Sequence, residues 1–149
     1  MVLPQRPVLA ASIAVFREGR VLIARRGKPP ALGLWSLPGG RVEPGERMAE
    51  TVLRELAEET GLEAQVSGFV DHVEHIERAA DGTLTAHAVI CAFAGRWVAG
   101  EPRLSDEATG FLWVDPFHPG NLPMTRGLPA ILKRAAHVVT GLDQLVDTP

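Results

Sequence analysis

Between Gly40 and Leu62 the chain reads GRVEPGERMAETVLRELAEETGL, with Glu55, Glu58 and Glu59 falling within five residues of one another. At ~100° per residue, the apolar residues Ala49, Val52, Leu53 and Leu56 form one helical stripe. The three acids form a second stripe about a quarter-turn away. Such a helix can pack one face on a sheet and turn the adjoining face to a cleft. Ionised carboxylates at this spacing repel each other, and a chain tolerates them best where a hard divalent cation can sit among them. Arg54, four residues before Glu58, is placed to pair with it. The segment predicts a helix from near Arg47 to Gly61, where glycine suits a left-handed end.

The rest of the chain supplies strands for that helix to cover. Val8 to Phe16 and Val21 to Arg25 are apolar, β-prone runs, with Gly19 between them reading as a hairpin turn. Leu34-Trp35-Ser36-Leu37 reads as a short strand ended by Pro38-Gly39-Gly40, where proline lacks a donor and glycines allow unusual backbone angles. Ala64 to Ile76 and Leu84 to Ala94 predict two strands joined by the turn Ala80-Asp81-Gly82-Thr83. Gly110 to Val114 predicts another. Leu128, Ile131, Leu132, Ala135, Val138 and Val139 predict a last amphipathic helix stopped by Gly141. The expectation is one mixed α+β domain over residues 1–149.

Composition excludes some functions. A net charge of −3 gives no support for a nucleic-acid or anionic-membrane partner, though a bound metal would still admit a phosphorylated small molecule. No apolar run approaches the roughly 20 residues of a membrane span. The N-terminus soon meets Arg17, Glu18 and Arg20 and does not read as a signal peptide, so a cytoplasmic location is expected. The single cysteine, Cys91, lies in the apolar run AVICAF and reads as a buried thiol.

Taken together, Gly40, five residues, Glu46, seven residues, Arg54-Glu55-Leu56, one residue, Glu58-Glu59, one residue and Gly61-Leu62 resemble the Nudix box. The opening hairpin, the Leu34–Gly39 lead-in and Phe111-Leu112-Trp113-Val114 are similar to Nudix hydrolases as well. The resemblance implies a Nudix α/β/α sandwich, with a mixed β-sheet between helices. It also implies hydrolysis of a nucleoside diphosphate linked to another group, assisted by Mg2+ or Mn2+. By the same resemblance, Glu55, Glu58 and Glu59, with the Gly39 carbonyl, would be metal ligands. Arg54 and Glu46 would hold the loop and helix together, and Gly40 and Gly61 would be backbone requirements. A homodimer is a further implication.

Other residues carry two readings each. Glu107, with Asp106 beside it, precedes the Trp113 strand and is the favoured general base, with Glu55 and Glu58 as rivals. Arg25, Arg26 and Lys28 form a basic cluster suited to substrate phosphates or to plain solvation. His72, His75 and His87 read chiefly as strand-surface residues, and their spacing makes no zinc motif. Trp35 and Trp113 read as core, although Trp35 could stack on a base. There is no tyrosine, which removes a residue that some dinucleoside-polyphosphate members carry. Glu77 stands where one ADP-ribose subgroup has proline. Val70-Asp71-His72-Val73-Glu74, Asp81-Gly82 and His87 resemble small bacterial ADP-ribose pyrophosphatases. The expected substrate is therefore ADP-ribose or a related nucleotide sugar. The alternatives are nucleoside triphosphates and a non-catalytic nucleotide sensor.

Overall fold

The computed structural model describes residues 6–146, with side chains as far as residue 141. Strands β1 (Val8–Arg17) and β2 (Arg20–Arg26) are joined by Glu18 and Gly19, both at positive φ (53° and 78°). Two left-handed residues make a two-residue turn whose twist suits a hairpin. The two strands pair only beside the turn, at Phe16–Val21 and Arg17–Arg20, and then part.

That divergence positions the site. One edge of β1 is taken in parallel by β6 (Leu84–Ala99), from Val8–Ala88 to Phe16–Arg96. Its other edge, beyond the hairpin, is taken by β4 (Gly39–Arg41), with Ser12 opposite Gly39. β2 pairs with β7 (Ala108–Val114) on one side and with β3 (Trp35–Ser36) on the other. The mixed sheet therefore opens between β1–β4 and β2–β3. At the far side β5 (Glu63–Arg78) runs antiparallel to β6.

Strand alternation feeds two cores. Ala11, Ile13, Val15 and Leu22 face α1 (Met48–Thr60), meeting Val52 and Leu56. Ala14, Phe16, Val21 and Ile23 face α2 (Leu128–Val146), meeting Ile131, Leu132 and Ala135. A mixed sheet between two helices is the α/β/α sandwich that the sequence led us to expect.

Several details differ from expectation. Gly39 and Gly40 belong to a strand, and neither has a positive φ. At Gly39 nothing larger fits against the β1 backbone, and at Gly40 a side chain would displace the Glu55 carboxylate. A Cβ on Gly39 would lie 2.3 Å from the Ala11 carbonyl oxygen, and one on Gly40 would lie 2.5 Å from the Glu55 carboxyl carbon. The buried stripe of α1 runs through Thr51, Val52, Leu56 and Thr60, whereas Ala49 and Leu53 are exposed. The helix is thus rolled so that the row Thr51, Glu55, Glu59 borders the core. Gly141 does not stop α2, because it keeps a negative φ and the helix continues to Val146. β5 and β6 extend past Ile76 and Ala94, to Arg78 and Ala99. Trp35 is buried as expected, while Trp113 is half-buried against the α1-side core.

The close approach at Gly39 makes a testable demand. Gly39→Ala should destabilise the fold by about 1–3 kcal/mol, because its methyl meets β1 backbone that cannot swing aside. A denaturant midpoint equal to that of the wild type would refute the packing account.

Candidate active site

Helix α1 begins cleanly because the Arg47 N–H donates to the Glu50 carboxylate at 3.2 Å. It ends at Gly61, whose φ of 81° lets its N–H reach the Ala57 carbonyl at 2.9 Å. Between these ends, Arg54 organises the acids. Its Nε donates to Glu46 Oε2 at 2.8 Å and its Nη2 to Glu46 Oε1 at 3.0 Å, a two-pronged pair across the loop. Nη1 donates to Glu55 at 2.9 Å and, at 3.5 Å, to Glu58, and Nη2 also reaches the Arg41 carbonyl at 3.2 Å. One guanidinium therefore joins the loop, β4 and the helix. The Thr51 hydroxyl adds a 2.6 Å bond to Glu46. The Arg54 hydrogen bonds, with help from Thr51, hold the Glu46 carboxyl down at about 2.

One turn along, the electrostatics reverse. Glu59 is largely buried, and burial first, then its hydrogen bond and charge repulsion with Glu55, push its carboxyl well above the ordinary range. The Glu107 charge adds to that rise, and a Gly39 N–H donated to Glu59 at 3.4 Å opposes it. Among the described residues, no three His, Cys, Asp or Glu side chains already converge as a metal cage. Glu58 has 57% of its side chain exposed and reaches Arg54 at 3.5 Å. In donor chemistry the set still fits a hard divalent ion: the carboxylates are oxygen ligands, and Glu55 and Glu59 are crowded enough to favour a counter-cation.

A cavity of about 210 Å³ fills the opening of the sheet. Gly39 and Glu59 line it from the acidic side, Arg25, Arg26 and Lys28 from the end of β2 and the loop after it, and Glu107 from the approach to β7. Glu107 is held by backbone: its carbonyl accepts from the Gly27 N–H at 2.9 Å, and its N–H donates to Ser105 Oγ at 3.3 Å. Arg25 donates to Thr109 through Nε at 3.0 Å and through Nη2 at 3.1 Å. Arg26 donates to the Pro30 carbonyl at 2.7 Å.

Gly39, Glu59, Glu107, Arg25 and Arg26, all singled out in the sequence, thus meet at one cavity. Glu55 stands behind it against Gly40, while Glu58, Arg54 and Glu46 lie outside its lining. His72, His75 and His87 do not line it either. His72 lies near Asp71 and Glu74 on β5, and His75 lies 3.1 Å from Glu77. Thr51, Ser36 and Thr109 were not singled out. Each matters through a partner distant in sequence or through a roll of the helix, so no local pattern marks them.

Comparison with known proteins shows the family. Residues 6–128 match the NUDIX domain family model. The chain is 41% identical over 102 residues to a putative 8-oxo-dGTP diphosphatase 2 of Mycobacterium tuberculosis, spanning 68% of each protein. It is 31% identical over 102 residues to an ADP-ribose pyrophosphatase of Methanocaldococcus jannaschii, covering 68% of this chain and 58% of that one. A MutT Nudix hydrolase from Burkholderia pseudomallei has a similar structure, with a TM-score of 0.75 and 30% identity over 87% of this chain and 98% of that one. The family match and these relatives make the chain a pyrophosphohydrolase. The chain belongs to the Nudix family and is a Nudix hydrolase, a family whose members use divalent metal ions.

The depressed Glu46 carboxyl predicts acid behaviour. A carboxyl lowered from 4.5 to about 2 adds stability that is present above pH 4.5 and is lost as pH falls toward 2. Glu46→Gln should flatten the wild-type loss of stability between those limits, as read by thermal unfolding across pH. An unchanged acid limb would show that the Arg54 pair contributes nothing.

Proposed function

We propose that the chain hydrolyses a nucleoside triphosphate to the nucleoside monophosphate and inorganic pyrophosphate. The observation that carries this reading is one cavity lined by acids and cations together: Glu59 and Glu107 with Gly39, and Arg25, Arg26 and Lys28. A phosphate chain suits that polarity, because its terminal charges can meet the cations while its reacting end faces the acids. The relative named as an 8-oxo-dGTP diphosphatase, at 41% identity, supports a triphosphate over a nucleotide sugar. ADP-ribose stands second, favoured by the 31% identical relative named for it.

Glu55, Glu58, Glu59 and the Gly39 carbonyl would hold the divalent cation, Mg2+ or Mn2+. When bound, such an ion neutralises phosphate charge and makes a nearby water more acidic. The chain's own residues do the rest. Arg25, Arg26 and Lys28 bind phosphate oxygens and hold the chain of phosphates in line. Arg54 and Glu46 keep the acidic edge of the helix oriented toward β4. Glu107 takes the proton from the attacking water. The water oxygen bonds to phosphorus, the bridging P–O bond between the α and β phosphates breaks, and pyrophosphate leaves with the bond's electron pair.

A panel of nucleoside triphosphates, oxidised triphosphates and nucleotide sugars, assayed with Mg2+ and with Mn2+, tests the reading. Triphosphates should give pyrophosphate with the highest kcat/KM, and Glu107→Gln should lower kcat by about 10²–10⁴-fold. Preference for ADP-ribose, with ribose phosphate as product, would overturn the substrate class. Unchanged turnover in Glu107→Gln would move the base into the box.

A further inference from the structure

Beside the cavity, β2 and β7 do not run in simple register. Arg25 lies opposite Gly110, and Arg26 lies opposite Ala108, so Thr109 has no partner across the ladder. Two residues of β7 thus face one of β2, which is a β-bulge, a device that turns a side chain out of its alternating position. Here it aims both acceptors of Thr109, Oγ1 and the backbone carbonyl, at the same guanidinium, at 3.0 Å and 3.1 Å. A third constraint acts on the face of that group. The Arg25 guanidinium carbon lies 6.0 Å from the centre of the Trp35 ring, near the limit of a cation–π contact. Gly110 makes room for this arrangement, since a Cβ there would be 3.1 Å from the Trp35 ring and 3.6 Å from Arg25.

An exposed arginine samples many rotamers, and fixing one costs side-chain entropy when it binds. Arg25 is exposed, yet it is held at Nε and at Nη2, with the Trp35 ring near the limit of contact. Among the described residues Nη1 has no protein acceptor. The held group borders the cavity that Glu59 also lines.

We propose that Thr109 is a positioning residue. Its bulge presets the Arg25 guanidinium so that Nη1 is presented to a substrate phosphate without further ordering. This deepens the triphosphate reading and rests on it. Thr109 touches no reacting atom, so its removal should weaken substrate binding and leave the chemical step alone.

The test is steady-state kinetics with a nucleoside triphosphate on Thr109→Val, Thr109→Ser, Arg25→Met and the Arg25→Met/Thr109→Val pair. Thr109 is exposed, so none of these changes removes a core side chain. Thr109→Val, which keeps the shape and loses the Oγ acceptor, should raise KM about tenfold with kcat within about twofold of wild type. Thr109→Ser should restore KM to within about twofold, and Thr109→Val should add nothing in the Arg25→Met background. An equal rise in KM in both backgrounds, or failure of serine to rescue, would overturn the positioning role. If Arg25→Met raises KM and Thr109→Val does not, only the role of Thr109 falls. If Arg25→Met itself leaves KM unchanged, Arg25 does not hold substrate, and the phosphate-binding assignment fails together with this one.

Discussion

Arg54 carries the interaction on which the site depends. Glu46, Glu55 and Glu58 all bond to its guanidinium, and without it three like charges would crowd the junction of a loop and a helix. Its two-pronged grip on Glu46 fixes the loop before α1, its bond to the Arg41 carbonyl fixes β4, and its bond to Glu55 fixes the edge of the helix. Pairing neutralises Glu46, whereas Glu59 lies beyond the reach of Arg54 and is left uncompensated. Burial first, then the neighbouring Glu55, raises the Glu59 carboxyl. An edge that stabilises one acid and crowds its neighbour suits a cation supplied from outside, which is the role proposed for it.

Glycine and divergence build the space around this pair. Because β1 and β2 part after a two-residue turn, the sheet opens where Gly39 and Gly40 run past Ser12 and Glu55. Side chains there would fill the gap with their own β carbons. The same opening lets the end of β2 contribute cations, and the start of β7 contribute Glu107, to one cavity of about 210 Å³. The acids and cations of the cavity therefore come from elements far apart in the chain, and the split sheet brings them together.

Much of this was legible in the sequence because it is local. The spacing of Arg54, Glu55, Glu58 and Glu59 on one helix, and Gly61 at its end, are patterns of period and cap. The hairpin and the apolar strands follow from alternation and turn chemistry. What was illegible depends on pairing between distant segments. The reading that Gly39 and Gly40 end a strand missed that the chain pairs again at once with β1, and Gly141 was read as a stop although a glycine can remain helical. The roll of α1 toward Thr51, a buried polar residue, overrode the apolar pattern of Ala49 and Leu53, because Thr51 satisfies its hydroxyl on Glu46 and on the Arg47 carbonyl. The bulge at Thr109 leaves no local signal at all, since it exists only in the register of β7 against β2.

The acidic edge of α1 is proposed as a divalent-cation site. Calorimetric titration of Mn2+ into the wild type, Glu55→Gln, Glu59→Gln and the remote control Glu63→Gln tests it most directly. The wild type and Glu63→Gln should bind with equal affinity, and the two edge variants at least about tenfold more weakly. Equal affinity in all four proteins, or no binding by the wild type, would contradict it.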